Sequence, residues 1–219
     1  MNLIKKLFSE NEFRWTLLRF YIVGFLLYII PFTRAIFIYL IPWILLANVA
    51  IMLVFHKDRN LKSLSVFVVV ILAAFLLEMK GVHDDRLFGS YRYLDALGPQ
   101  IRDTPLIIGI NWLMLVYGAH SLISEKFRKR LPRLLLASIL MVVYDIIIEV
   151  AAPDLKMWIF DKSYPPLRNF FMWFAAALFF QLLFEIAGIR TANRHARELF
   201  LAQMLFFAVL VIYLTLGPL

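Results

Sequence analysis

Cysteine is missing from the 219 residues, which removes disulfide frameworks, thiolate metal sites and cysteine nucleophiles together. Charge is the second scarcity: 17% of residues are Asp, Glu, Lys or Arg, against 63% hydrophobic, and the mean hydropathy is +0.80. A water-facing globule carries nearer a quarter charged residues, and a disordered chain is poorer in apolar ones, so neither class fits. Glycine-rich phosphate loops and dinucleotide fingerprints are absent too. The formal charge of +8 is spread between apolar runs, with no basic region of domain size to track phosphates, so no nucleic-acid partner is expected. A polar stretch, Ser9 to Arg14, follows Lys5 and Lys6 without a small-residue cleavage pattern after the first apolar run, so no signal peptide is expected.

Long apolar runs take the place of what is missing. Seven are bounded by charge, Pro or Gly: 15 to 31, 35 to 55, 61 to 79, 105 to 123, 132 to 152, 169 to 189 and 198 to 217. Each is close to the roughly 20 residues that carry a helix across a hydrocarbon core. None shows the period-two alternation of barrel strands. The expected fold is therefore an all-α integral membrane protein, a bundle of about seven transmembrane helices forming one domain over residues 1–219, multi-pass in the cell membrane. Fifteen Lys and Arg, Lys5, Lys6 and Arg128 among them, fall on the side of the N-terminus and eight on the other, which predicts a cytoplasmic N-terminus and an outer C-terminus. Both long loops, 80–104 and 153–168, then share the non-cytoplasmic face. Their Tyr91, Tyr93, Trp158 and Tyr164 fit either an interfacial aromatic belt or a cap over a site.

Ionisable groups inside the runs are the informative residues. Glu78 ends run three, Asp145 and Glu149 lie in the outer half of run five, and Glu185 lies near the inner end of run six. An acid within a span costs about 2.5 to 3.5 kcal/mol on insertion scales, so such residues face the bundle interior and mark function unless a loop Arg or protonation neutralises them. Asp145 and Glu149, four residues apart, lie about 40° apart on one helix face. Ser138 extends that polar stripe. No Lys or Arg occurs between Leu134 and Leu155. Two carboxyl groups in low dielectric do not both ionise easily, so the expectation is one that keeps its proton beside one that is anionic. That suits acid/base chemistry, and a proton path would look the same. Asn111 and Trp112 in run four, and Asn169 and Trp173 in run six, lie toward the same face, so an aromatic cleft with carboxyl and amide groups at its outer end is expected to take an apolar substrate.

Other signals are weaker. His83, Asp84 and Asp85 lack a well-spaced third ligand and read as a solvated loop, so no metal is expected. No second aspartate-rich motif of the kind that holds magnesium and diphosphate accompanies them. His120, beside Glu125, reads as interfacial. Run seven has no Lys, which rules out a retinal Schiff base there.

Two outer segments, EMKGVHDDRLFGSYRYLDALGPQIRDTPLIIGINWLMLVYG from Glu78 to Gly118 and YDIIIEVAAPDLKMWIFDKSYPPLRNFFMWF from Tyr144 to Phe174, cover about a third of the chain. They resemble the membrane carotenoid biosynthesis protein family that includes the CruF-type carotenoid 1,2-hydratases. The likeness rests on Glu78, Gly81, Phe88, Gly89, Tyr91 and Tyr93, then Gly98, Pro99 and Trp112, then Asp145, Glu149, Pro153 and Trp158, then Asn169, Phe170 and Trp173. The HDDR stretch before Phe88 departs from the small residues expected there, which bears on substrate choice more than on the reaction. The resemblance implies a membrane enzyme of the hydro-lyase class that adds water across the terminal 1,2 double bond of an acyclic carotenoid end group, leaving a tertiary alcohol. A lycopene-like or monocyclic carotene and water would be its partners, within the bilayer. Water addition is redox neutral, so no cofactor is expected.

The chemistry then assigns roles: Asp145 and Glu149 as the acid/base pair with Glu78 an alternative acid, and Tyr91, Tyr93, Asn111, Trp112, Trp158, Asn169, Phe170 and Trp173 around the substrate. A proton-initiated carotenoid cyclase would use the same groups while excluding water. A proton-coupled transporter would use the acids as a path, although no inverted repeat is visible. A structural pigment-binding protein would hold the carotenoid unchanged.

Overall fold

Lipid offers the backbone no hydrogen bonds, so runs this apolar close their hydrogen bonds internally as helices. A computed structural model describes residues 10–127 and 129–217; Lys5, Lys6 and Arg128 of the charge count lie outside the described residues. Among the described residues there are seven α-helices: α1 (Glu10–Ile29), α2 (Pro31–Val54), α3 (Leu61–His83), α4 (Ile107–Lys126), α5 (Arg130–Ala151), α6 (Leu167–Ala187) and α7 (Arg194–Leu216). Six of them, α2 to α7, are long and apolar enough to cross a membrane. The chain is thus a multi-pass membrane protein. The first apolar run is a helix but falls outside this set, because α1 also carries Glu12, Arg14 and Arg19.

Helix ends differ from the expected ones for local reasons. The helix α1 starts at Glu10, inside the polar stretch, where Phe13 packs against Leu17 and Leu199 and Arg14 Nε lies 2.6 Å from a Glu198 carboxylate oxygen. Only Ile30 separates α1 from α2, which Pro31 opens at the position where a missing N–H is harmless. Arg34 therefore belongs to the first turn of α2 rather than to a loop, and donates to the Tyr28 carbonyl at 3.0 Å. At its far end α3 runs on to His83, so Gly81 is helical.

The helix α4 is the axis of the bundle. Its most apolar stretch is 78% buried, against 33% for α2, α3, α6 and α7, whose outer faces expose Phe32, Trp43, Leu61, Phe171 and Ile186. Such faces would aggregate in water and suit lipid. Gly109 allows α4 to approach α3, since a Cβ there would stand 2.3 Å from the Ile71 carbonyl oxygen.

The two long loops meet at one end of the bundle. β1 (Tyr91–Tyr93), a 3-10 turn (Asp95–Leu97), β2 (Gln100–Ile101) and β3 (Thr104–Pro105) belong to the first, and β4 (Trp158–Phe160) to the second. β2 and β3 form a hairpin, whereas β1 and β4 pair antiparallel, with Tyr91 opposite Phe160 and Tyr93 opposite Trp158. Strand alternation turns these four aromatic residues inward and leaves Arg92 outside. The expectation that both loops lie on one face agrees with this pairing.

Candidate active site

Beneath the β1–β4 pair, the loop ends of α3, α4, α5 and α6 surround a narrow, partly open cavity of about 20 Å³. Glu78 on α3 is held by three donors. Tyr91 and Tyr93 each donate a phenolic hydrogen bond to Oε2 at 2.8 Å, and the Trp112 indole donates to Oε1 at 2.8 Å. Gly81, one turn on, makes the arrangement possible: a Cβ there would lie 2.3 Å from the Phe88 ring and 3.0 Å from the Tyr91 hydroxyl. Burial, and then the neighbouring Glu78 carboxylate, push the Tyr91 and Tyr93 phenols well above their usual value of 10, so both stay protonated and donate.

Across the cavity Glu149 accepts from the Trp158 indole at 2.9 Å through Oε2, and its other oxygen makes no hydrogen bond among the described residues. Asp145, on the same face of α5 and fully buried, accepts from the Asn169 amide at 2.9 Å. Its Oδ1 is buried without a partner among the described residues, as is Oδ1 of Asn111. Each of these oxygens can accept a further hydrogen bond. Among the described residues, none of the three carboxyl groups has a Lys, Arg or His partner within ion-pair distance.

The expected site residues divide into two shells. Glu78, Glu149, Tyr91, Tyr93, Asn111, Trp158, Asn169 and Trp173 line the cavity itself. Asp145 stands behind Asn169. Trp112 stands behind Trp173, stacked on it at 4.2 Å between ring centroids, while donating to Glu78. Phe170 is not at the cavity: it packs on Tyr164 at 6.2 Å. Neighbouring helix positions point 100° apart, so Asn169 and Phe170 do not face the same space. Tyr144, Ile108, Ile148, Phe88 and Phe160 also line the cavity and were not singled out as contacts. Tyr144 and Ile148 share the α5 face of Asp145 and Glu149, which was the available signal; Ile108 is simply apolar and carried none.

Glu185 lies at the opposite end of the bundle. Arg133 donates to its Oε2 at 2.7 Å, and the His120 ring, bonded to Gln181 at 2.8 Å, places Nε2 at 3.9 Å from Oε1. The alternative of an acid neutralised by an Arg therefore describes Glu185, although that Arg stands in the first turn of α5 rather than in a loop. His120 is buried in this cluster rather than interfacial, and Glu125 pairs instead with Arg197 at 3.1 Å. His83 is exposed on the loop face, with Nε2 3.5 Å from an Asp103 oxygen. Among the described residues no three His, Cys, Asp or Glu side chains are grouped to hold a metal ion.

The arrangement sets a carboxyl group with a free oxygen, a carboxyl group fully engaged by donors, and amides with unpaired acceptors around an aromatic-walled space. Such a chamber can deliver a proton, stabilise the positive charge that results, and orient a small polar reactant. A sequence model of the family described as carotenoid biosynthesis protein matches residues 35–217. No curated protein and no solved structure matches the chain.

Proposed function

The chain belongs to the carotenoid biosynthesis protein family, and on that premise we propose that it is a CruF-type carotenoid 1,2-hydratase, a hydro-lyase acting on the acyclic end group of a carotene. The observation that carries this reading is a pair of acids, Glu78 and Glu149, lining one aromatic cavity with no basic partner among the described residues. Glu149, in its protonated form, transfers its proton to C2; a C2–H bond forms as the π bond breaks, leaving a tertiary cation at C1. The Glu78 carboxylate and the faces of Trp173 and Tyr93 stabilise that cation. Water accepted by Asn111 Oδ1 attacks C1, the C–O bond forms, and the surplus proton returns to Glu149. Atoms balance as alkene plus water giving tertiary alcohol, and no electron is transferred.

Asp145 acts through Asn169 in this scheme, as a positioning residue. The Asn111 amide on the chamber wall supports hydration over cyclisation, because its oxygen is an acceptor that can orient a water molecule. A cytoplasmic N-terminus in the cell membrane, with the chamber toward the outer leaflet, accompanies the proposal and rests on the distribution of Lys and Arg.

Expression in a host that accumulates lycopene tests it directly. The expected result is a more polar pigment heavier by one or two molecules of water. A product of unchanged mass with a ring would replace the hydratase by a cyclase, and unaltered lycopene would overturn enzymatic action on this substrate.

A further inference from the structure

An acyclic carotene is about as long as a hydrocarbon core of roughly 30 Å is thick, so the acid chamber holds its end group and the chain must lie elsewhere. A second space, a narrow crevice of about 40 Å³ with almost wholly apolar walls, lies between α1, α2 and α7. Leu155 and Met157, directly before Trp158 of the acid chamber, close its loop end. Phe20, 45% exposed, stands at its lipid-facing mouth.

Contacts of one chamber side chain link the two spaces. Tyr144 lines the acid chamber, its ring meets Phe207 of the crevice edge to face at 5.9 Å, and its hydroxyl accepts a hydrogen bond from Gln203 of the crevice at 2.5 Å. Asn48 in turn donates to Gln203 at 3.2 Å and to the Tyr21 hydroxyl at 3.3 Å, so the polar residues here are tied to one another and the remaining wall is hydrocarbon. A larger groove, about 550 Å³ between Trp43, Pro99 and Ile107, shares no lining residue with the acid chamber.

Resting on the proposed hydratase reading, we propose that the crevice between α1, α2 and α7 receives the isoprenoid chain of the substrate, and that Tyr144 is the partition displaced when the end group reaches Glu149. Among the described residues, the displacement breaks the hydrogen bond from Gln203 to the Tyr144 hydroxyl. The chain enters laterally from the lipid past Phe20.

The test uses the full chain in phosphatidylcholine proteoliposomes with an acyclic carotene analogue bearing a diazirine near its far end, and maps the photolabel by mass spectrometry. Label is expected on the segments around Gly24, Ile41 and Phe206. Gly24→Leu and Ile44→Trp, which fill the crevice away from the acids, should each lower that label by about tenfold while circular dichroism shows the helices retained. Label confined to the groove by Trp43 and Pro99, label spread evenly over the lipid-facing helices, or label unchanged in both filled variants would overturn the inference. Hydration without crevice label defeats the inference alone; crevice label without hydration defeats the hydratase reading alone.

Discussion

Buried carboxyl groups occur at both ends of this bundle, and they are treated in opposite ways. Glu185 faces a guanidinium at 2.7 Å and a histidine ring at 3.9 Å. Glu78, Asp145 and Glu149 receive only neutral donors: phenols, indoles and an amide. An ion pair cancels charge and fixes α5 to α6, a structural service. Neutral donors orient a carboxyl group without supplying the counter-charge, which leaves it free to take up or release a proton. The same residue type thus serves structure at one end and reactivity at the other, and the partner decides which.

The largest test of that contrast is Glu149→Gln against Glu185→Gln. The first should lower conversion of an acyclic carotene per folded molecule by about a hundredfold to ten-thousandfold, the usual contribution of a general acid. The second should leave conversion per folded molecule within a factor of about two. Equal losses in pigment assays normalised to folded protein would erase the distinction.

Stability should respond the other way round. Glu185→Gln strands a largely buried Arg133, and is expected to cost on the order of 1–3 kcal/mol, between the values for surface and fully buried pairs. Thermal unfolding in detergent measures it. Replacing both partners together, Glu185→Leu with Arg133→Met, should recover most of that loss, because the charge left unpaired is then gone.

The smallest expected effect is a pH dependence from the phenols. Tyr91 and Tyr93 are held well above 10 when folded and ionise near 10 when unfolded. A folded value above the unfolded one means that their contribution is complete below about pH 10 and declines as pH rises beyond it. Stability should therefore fall above about pH 10 in the native chain and fall less in the Tyr91→Phe, Tyr93→Phe variant, read by unfolding midpoints across that range.

Much of this was legible in the residues themselves. Continuous apolar runs announced the helices because lipid permits few other solutions, and the scarcity of acids inside them singled out the chamber. What periodicity does not carry is contact between distant short segments: β1 and β4 are three residues each, and their pairing is specified by inward-facing aromatics rather than by any local pattern. Helix spacing put Asp145 and Glu149 on one face, but which of them reaches the open space depends on where Asn169 comes to rest, a property of α6 packed on α5. The extra turn of α1 was hidden for a similar reason, since its polar start is stabilised by Glu198 at the far end of the chain.

The clasp of β1 onto β4 also sets an order of assembly. Glu78 and its donors Tyr91, Tyr93 and Trp112 are made first, β4 follows Glu149 by nine residues, and Asn169 arrives with α6. The chamber therefore completes only after six of the seven described helices are made. Until then Glu149 and Asp145 lack the indole and amide donors that hold them in the finished fold.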